Sequence, residues 1–385
     1  MTADHPTDHP DHPPYRPTAW LAADADRDTS WIQRLSAAEI ASFDAALHHA
    51  SALDKPLLEM TADDFPLDAA ARDALARAID TTQGRWGMCL VKGFPVHRWT
   101  EDETRLAYWG MGLHMGVART QNRASDFMND VRDVGAAYKS KNGRGYNTNA
   151  GLDFHTDSCD VVGLLCRRAA RTGGASKVVS SIALRDAMLR RRPDLEAVLH
   201  TPFHYSYQGA QAPSQPPHYA CTILGNHPWA FAMRTNRKNV VAAQRDFDDV
   251  PRLTPAQEAA LDELDTLLTD PSLCFSMQLE QGDLQLLNNY VTVHSRTNFE
   301  DYEEFDRKRH LLRLWLAVPG AQPLPDEWAD YFTDVRAGAV RGGLRGSARS
   351  AAFDAYERRQ AAALGMPLMP WAPATRPAPA ATATA

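Results

Sequence analysis

The 385-residue sequence lacks any hydrophobic run that approaches the ~18–20 uncharged apolar residues needed to span a bilayer. It also lacks an excess of basic residues, because 41 Lys and Arg stand against 48 Asp and Glu, for a formal net charge of −7. A mildly acidic chain has no basic stripe with which to neutralise phosphates. Neither a membrane nor a nucleic acid is therefore an expected partner.

Cysteine is scarce and scattered, and no Cys-x-x-Cys pair occurs among the five residues Cys89, Cys159, Cys166, Cys221 and Cys274. This pattern gives little support to a disulfide framework or a structural zinc site. The first 17 residues hold His, Asp and Pro and lack the apolar core of a secretion signal. We therefore expect a reduced, cytoplasmic protein.

The apolar content of 44% and the nine Trp residues exclude disorder of the whole chain. The two ends have a different composition: residues 1–17 repeat His-Pro themes, and residues 367–385 are almost entirely Pro, Ala and Thr. We expect both ends to be disordered tails around a single domain at 18–366. Within that domain, a segment rich in aromatic and basic residues at about 203–250 is typical of a lid or insertion.

The predicted elements alternate irregularly. Apolar spacing predicts helices over 36–50 and 67–81, and Thr254, Pro255 and Gln257 form the start signal of another. Short apolar runs predict the strands Met88–Phe94, Leu152–Cys166, Lys177–Ser181, Phe275–Leu279, Leu284–His294 and His310–Val318. Without a regular βαβ cycle, these strands favour a mainly-β fold with flanking helices, an antiparallel barrel or a jelly roll.

The dipeptide spacing His155-x-Asp157 is the first candidate for chemistry. Residues two apart on a strand point to the same face, so this pair would offer one nitrogen and one oxygen to a single metal ion. A charged pair that enters an apolar core must be paired, hydrogen-bonded or metal-bound. A His–Asp hydrogen bond at the mouth of a barrel is the alternative at this point.

A second histidine, His294, falls near the end of a predicted strand far downstream. Two histidines and one carboxylate with open positions form the facial triad of non-haem Fe(II) oxygenases. A closed zinc site would need a fourth ligand, and none is evident. Two other classes stay open: a cupin-like hydrolase or isomerase with zinc or manganese on the same ligands, and an acid-binding jelly roll without catalysis.

Two arginines share one face of the last predicted strand, where Arg309 and Arg313 alternate with Leu311 and Trp315. A guanidinium stays charged at any relevant pH, so each needs an anionic partner. That partner is either a carboxylate of the protein or a bound acid.

Together these residues resemble the taurine dioxygenase/TfdA-like family over roughly residues 80–320. The family order of His-x-Asp, distal His and Arg is filled by His155, Asp157, His294 and Arg309, and Gly173-Gly174-Ala175-Ser176 matches the family's Gly-Gly-x-Thr/Ser. The resemblance implies a double-stranded β-helix (jelly-roll, cupin-like) core that uses Fe(II), 2-oxoglutarate and O₂. It further implies that Arg309 and Ser176 hold the far carboxylate of 2-oxoglutarate.

The same resemblance implies oxidation, most simply hydroxylation, of an unactivated C–H bond in a small carboxylate-bearing substrate such as an amino acid or a secondary-metabolite intermediate. Because related halogenases lack the metal-binding carboxylate, Asp157 argues against halogenation. Residues 144–149 do not look like the taurine-binding region, so taurine is not an expected substrate. The remaining candidate contacts are Asn149 for 2-oxoglutarate, Arg313 for either acid, and Tyr146, Asn147 and Arg234 for the substrate.

Overall fold

The computed structural model describes residues 15–136 and 145–370. The α-helices of this part are α1 (Ala22–Arg27), α2 (Ala37–Leu53), α3 (Ala69–Thr82), α4 (Glu101–Met115), α5 (Ser181–Arg191), α6 (Pro193–Val198), α7 (Arg237–Asp246), α8 (Pro255–Leu268), α9 (Ala329–Phe332) and α10 (Ala351–Ala363). Its first strands are β1 (Ile32–Arg34), β2 (Met88–Lys92), β3 (Val117–Ala118), β4 (Met128–Val131), β5 (Val161–Arg168), β6 (Thr172–Gly173) and β7 (Ser176–Ser180). They are followed by β8 (Phe203–Ser206), β9 (His218–Cys221), β10 (Cys274–Met277), β11 (Leu284–Asn288), β12 (Thr292–Arg296), β13 (Phe299–Glu300) and β14 (His310–Ala317).

Two largely antiparallel sheets form the body of the protein. The larger sheet runs β1-β2-β11-β5-β14-β3, with β4 also paired to β14, and only β1 and β2 run parallel within it. The smaller sheet has the order β10-β7-β12. Short two-stranded pairs, β6 with β13 and β8 with β9, flank them.

One hydrophobic cluster lies between the sheets, because it takes residues from both. Val162 and Leu311 belong to the larger sheet, and Val178 and Phe275 belong to the smaller one. Alternation along each strand then turns every second residue outward, where Leu312 and Leu314 meet α2, α3 and α4. This arrangement is the predicted jelly roll with flanking helices.

The outer face of the smaller sheet is covered by α5, α6 and α8 and by the β8–β9 hairpin. Val179 and Val293 point to this side and join one buried cluster with Leu184, Leu264 and Phe203. Each side chain of this kind stabilises the fold by roughly 1.5–3 kcal/mol when fully buried. The predicted insertion at 203–250 is thus packed against the smaller sheet.

Local signals in the sequence predicted several elements correctly. The helices expected at 36–50 and 67–81 are α2 and α3, and their N-caps are Ser36 and Asp68. At α8, the Thr254 hydroxyl accepts from the backbone N–H of Gln257, as the start signal predicted.

The single strand predicted for Leu284–His294 is wrong, because it is two strands in different sheets. The chain turns after Asn288, whose side-chain oxygen accepts from the backbone N–H of Tyr290 (3.0 Å) and so stabilises a turn over an extended strand. His294 therefore lies in the middle of β12, in the smaller sheet, and pairs with Val178 of the neighbouring strand β7.

The strand predicted for Leu152–Cys166 begins only at Val161. The backbone N–H groups upstream of it do not form a continuous ladder, since those of His155 and Thr156 donate to the carbonyls of His294 and Thr235. The His-x-Asp pair thus sits in an extended connecting segment rather than within a strand.

Most of the two predicted tails, residues 1–14 and 371–385, lies outside the described residues. The described residues of both predicted tails contact the domain. Arg16 pairs with Asp80 (2.6 Å), and the carbonyl of Pro367 accepts from the N–H of Val340 (2.8 Å). No helix within the described ranges is both long enough and apolar enough to cross a membrane.

Candidate active site

Two histidines face each other where the segment before β5 meets β12. The backbone N–H of His155 donates to the carbonyl of His294 (2.9 Å), and the N–H of His294 donates back to His155 (3.0 Å). Their ring centroids are 4.5 Å apart. This isolated bridge orients the two histidines, because it fixes both backbones at one point. The sequence had predicted a continuous strand at His155 instead.

Asp157 completes the group. Its Oδ1 lies 3.9 Å from Nε2 of His155, and its Oδ2 lies 3.7 Å from Nε2 of His294. One donor atom from each of the three residues lies within 4.8 Å of the others. Two imidazole nitrogens and one carboxylate oxygen at this spacing fit a single divalent ion with open positions.

The tautomer of His155 suits a metal ligand. Its Nδ1 lies 2.8 Å from the backbone carbonyl of Asp153, and a carbonyl can only accept, so Nδ1 carries the proton. The lone pair of Nε2 is then directed toward the cluster, which is the usual state of a metal-binding histidine.

The charges in the cluster also favour metal binding. Burial would raise the pKa of Asp157, but the Arg313 guanidinium and the two imidazoles outweigh it and hold that pKa below its usual value. Burial, followed by the neighbouring His155, lowers the pKa of His294 to about 3. At neutral pH the cluster therefore offers a carboxylate and a neutral imidazole, the forms that bind a metal.

Two residues that sequence reasoning missed hold Asp157. The side-chain oxygen of Asn289 accepts from its backbone N–H (2.9 Å), and the indole Nε1 of Trp315 donates to its Oδ2 (3.0 Å). The face of Trp315 was predicted from strand alternation, but nothing in the sequence indicates its partner. Asn289 belongs to the turn that the sequence did not predict.

One cavity of about 170 Å³ collects most of the predicted site. Alternation along β14 directs Leu311, Arg313 and Trp315 into it. Arg309, which directly precedes this strand, lines the cavity as well. The other predicted residues that line it are His155, Asp157, Ser176, His294 and Tyr146.

Arg309 is a buried cation whose guanidinium forms no salt bridge to a carboxylate among the described residues. Only 6% of the residue is exposed, and its Nη1 has no hydrogen-bond partner among the described residues. Its nearest aromatic neighbour is Phe299, whose ring centroid lies 5.1 Å from the guanidinium carbon. Burial lowers the pKa of Arg309 by more than the nearby Asp301 carboxylate raises it. A guanidinium remains protonated, so this buried charge favours an anion from outside the chain.

The Gly-Gly-x-Ser segment packs directly on this arginine. Gly174 has φ of +73°, and a Cβ built there would lie 3.2 Å from Nε of Arg309. At Gly173, a Cβ would lie 2.4 Å from the carbonyl oxygen of Asn298. Only glycine fits both positions, and the close approach brings Ser176 to the cavity, where its hydroxyl donates to Oε1 of Gln285 (3.0 Å).

The remaining predicted contacts are distributed differently. Tyr146 lines the cavity with its ring centroid 5.1 Å from the Arg313 guanidinium. Asn147 and Asn149 lie off the cavity wall, and their backbone carbonyls accept from Val134 (3.2 Å) and Phe299 (3.1 Å).

Arg234 also lies off the cavity wall, behind the tyrosines of the insertion. Its guanidinium carbon is 4.3 Å from the ring centroid of Tyr331 and 4.8 Å from that of Tyr205. Its Nη2 donates to the hydroxyl of Tyr219 (2.8 Å), and Tyr219 does line the cavity. Arg234 thus contacts the wall rather than forming it.

Solved structures with the same fold include two oxygenases. Asparagine oxygenase in complex with Fe(II), 2S,3S-3-hydroxyasparagine and succinate matches with a TM-score of 0.53 and 17% identity, covering 74% of this chain and 93% of that one. The non-haem iron oxygenase OrfP in complex with Fe, succinate and (3S)-hydroxy-L-Arg matches with a TM-score of 0.56 and 14% identity, covering 74% and 94%.

Sequence comparison gives more specific relatives. FR-33289 synthase of Streptomyces rubellomurinus is 28% identical over 328 residues, which is 84% of this chain and 95% of that protein. The taurine hydroxylase-like protein SAT17 of Stachybotrys chartarum is 25% identical over 320 residues, 78% of this chain and 81% of that protein. The model of the taurine catabolism dioxygenase TauD, TfdA family matches residues 53–315. The chain therefore belongs to the TauD/TfdA family and is an Fe(II)- and 2-oxoglutarate-dependent oxygenase.

Proposed function

We propose that His155, Asp157 and His294 hold the Fe(II) of this oxygenase. Three protein donors leave the remaining positions of an octahedral ion for 2-oxoglutarate and O₂. When bound, the iron supplies the oxidation of a substrate C–H bond, coupled to decarboxylation of 2-oxoglutarate to succinate. The protein contributes a fixed donor set in the required protonation states and a cavity that restricts water.

The main support for a 2-oxoglutarate site is the buried guanidinium of Arg309, whose Nη1 has no hydrogen-bond partner among the described residues. A buried guanidinium without an anion costs free energy until a carboxylate binds it, and its fork matches a carboxylate in two hydrogen bonds. The hydroxyl of Ser176 lines the same cavity and adds a further polar contact. We infer that these two residues bind the carboxylate of 2-oxoglutarate far from the metal.

For the substrate, we propose a small carboxylate-bearing molecule that is hydroxylated at an unactivated C–H bond. Arg313 lines the cavity beside Tyr146 and forms its closest hydrogen bond to a neutral group, Oε1 of Gln121 (2.7 Å). Its salt bridge to Oδ2 of Asp157 is long (3.9 Å), so the guanidinium can also bind an acid in the cavity. The two structurally similar oxygenases hold hydroxylated amino acids, which makes free amino acids the first class to test.

The insertion at 203–250 is proposed to be the substrate-facing lid, since Tyr207, Tyr219 and Asn236 line the cavity.

A cytoplasmic location is proposed for the protein as well. All five of its cysteines carry free thiols, which a reducing compartment preserves.

The test is anaerobic titration with Fe(II) and 2-oxoglutarate, followed by succinate formation across a panel of amino acids and natural-product acids. The wild type should develop a visible charge-transfer band, and one group of substrates should raise succinate formation above the uncoupled level. If Zn(II) supports turnover while Fe(II) with 2-oxoglutarate gives neither a band nor succinate, the proposed assignment of these residues is wrong.

A further inference from the structure

The two oxygens of the Asp157 carboxylate have different surroundings. Oδ2 accepts the hydrogen bond from the indole Nε1 of Trp315 (3.0 Å). Oδ1 accepts no hydrogen bond from any residue in the described ranges. It lies 3.9 Å from Nε2 of His155, while Oδ2 lies 3.7 Å from Nε2 of His294, so the hydrogen bond to Trp315 is what distinguishes the two oxygens. The carboxylate is thus bound by the protein at one oxygen and left open at the other.

The packing of Trp315 fixes the position of its indole N–H beside Asp157. It lies on β14, opposite Val162 of β5, and only 4% of it is exposed. Its ring packs in the cluster between the sheets, so its rotamer is restricted by neighbours on both sides. An indole N–H is a donor only and does not ionise in the physiological range, so its hydrogen bond to a carboxylate does not depend on pH.

Arg313 does not take the same role. Its Nη1 lies 3.9 Å from Oδ2 of Asp157, which is beyond hydrogen-bond distance. Its closest polar contact is instead with Gln121 (2.7 Å). Arg313 contributes charge near Asp157, while Trp315 is the side chain of the described residues that donates a hydrogen bond to Oδ2.

We propose that Trp315 is a positioning residue that fixes the orientation of the Asp157 carboxylate by its hydrogen bond to Oδ2, and so favours metal binding through Oδ1 alone. Carboxylates bind metal ions through one oxygen or through both. Binding through both would take one of the positions that 2-oxoglutarate and O₂ require. The inference rests on the proposed ligand set, and it assigns to Trp315 the task of keeping that set at three donor atoms.

The first experiment follows the hydrogen bond itself in the wild-type protein. With indole-¹⁵N tryptophan, the Nε1–H resonance of Trp315 is assigned by its loss in Trp315→Phe or its displacement in Asp157→Ala. Zn(II), a diamagnetic ion, is then added to the metal-free wild type. The resonance should keep its hydrogen-bonded shift when Zn(II) binds. Movement to the position seen in Asp157→Ala would mean that the metal takes Oδ2, and would overturn the proposal.

The second experiment measures metal affinity by anaerobic Co(II) competition. Trp315→Phe should bind Co(II) about 10–100-fold more weakly, as for other residues that support a metal ligand, and its Fe(II)–2-oxoglutarate band should weaken. Trp315→His, which restores an N–H, should recover part of the affinity. The matched control is Trp20→Phe, because Trp20 lies in the same cluster and its Nε1 donates to the carbonyl of Trp86 (2.9 Å).

Wild-type Co(II) affinity and an unchanged band in Trp315→Phe would refute the role of Trp315 while leaving the ligand set intact, provided that Asp157→Ala loses the metal. Wild-type affinity in Asp157→Ala would instead refute the ligand set, and the inference about Trp315 with it. The two failures are therefore distinguishable.

Discussion

Within residues 15–136 and 145–370, two clusters of three side chains combine histidine with carboxylate, and one of these two has the surroundings of a metal site. His155, Asp157 and His294 form the first, and Glu101, Asp130 and His310 form the second. In both, one donor atom from each residue lies within 4.8 Å of the others. Proximity of suitable side chains therefore does not distinguish them.

The second cluster is neutralised by arginine. Nε2 of His310 donates to Oδ1 of Asp130 (2.7 Å), and its Nδ1 accepts from Nη2 of Arg132 (2.7 Å). Asp130 also pairs with Arg105, and Glu101 lies 3.3 Å from Arg132. Because both ring nitrogens and the carboxylates already have partners, this cluster is a structural ion-pair network.

In the first cluster the arginines lie farther from the donor atoms than in the second. Arg313 approaches Asp157 no closer than 3.9 Å, and Arg309 pairs with no carboxylate among the described residues. The lone pairs that a metal needs and the guanidinium that an acid needs are both left open. The candidate metal site therefore differs from the second cluster in its unsatisfied groups rather than in its residue types.

Removing the carboxylate from each cluster should give the largest difference between them. Asp157→Ala should abolish turnover and weaken Co(II) binding by more than about 100-fold. The loss should exceed that caused by removing a supporting hydrogen bond, because a ligand itself is lost. Asp130→Ala should retain Co(II) affinity and lose only stability. Competition titration checks both, and equal loss of metal in the two variants would contradict the distinction.

The arginines allow a second contrast. Arg309→Lys keeps the charge but loses the fork, so the KM for 2-oxoglutarate should rise by about 30-fold or more, from a typical loss of 2–5 kcal/mol for a desolvated charge pair. Uncoupled 2-oxoglutarate turnover reports this without knowledge of the substrate. Arg132→Lys should leave that KM unchanged. An unaltered KM in Arg309→Lys would remove Arg309 from the co-substrate site.

Stability should respond in the opposite order. Arg132→Met leaves the buried Nδ1 of His310 without its donor, so the free energy of unfolding should fall by about 1–3 kcal/mol. Arg309→Met removes an uncompensated buried cation and should leave the metal-free protein as stable as the wild type or more so. Urea titration measures both, and destabilisation by Arg309→Met would show that this charge has a partner in the fold.

The smallest effect concerns pH. The pKa of His294 is held at about 3 in the folded protein against an ordinary 6.5, so between these values the unfolded chain binds a proton that the folded chain does not. Stability is then lost as pH falls. Between pH 7 and 5.5, metal-free wild type should lose about 1 kcal/mol more than His294→Gln. Parallel curves for the two proteins would contradict a neutral, buried His294.

Strand alternation made much of this site predictable from sequence, since it is a local property. It correctly placed Arg313 and Trp315 on one side of β14, and Arg309 just before the strand lines the same cavity. The Gly-Gly-x-Ser segment was identified by resemblance, and its physical reason became visible only with the packing of Gly174 on Arg309.

What the sequence could not provide depends on contacts between distant segments. Asp157 and Trp315 are separated by 158 residues, and the ion-pair network joins His310 to Asp130 across 180. No periodicity encodes such partners. The turn at Asn288 was missed for another reason: its apolar neighbours fit a continuous strand, and one side-chain hydrogen bond decides against it.

The bridge between His155 and His294 also has a consequence for how the protein folds. These residues are joined by a long segment that contains β5, β7, the insertion and β11. The proposed donor set therefore joins segments that are far apart in sequence, and closing such a loop costs entropy. An ion bound across it ties the two halves of the chain together and adds its binding free energy to the folded state alone. Iron supply would then govern how long the protein survives as well as how fast it works.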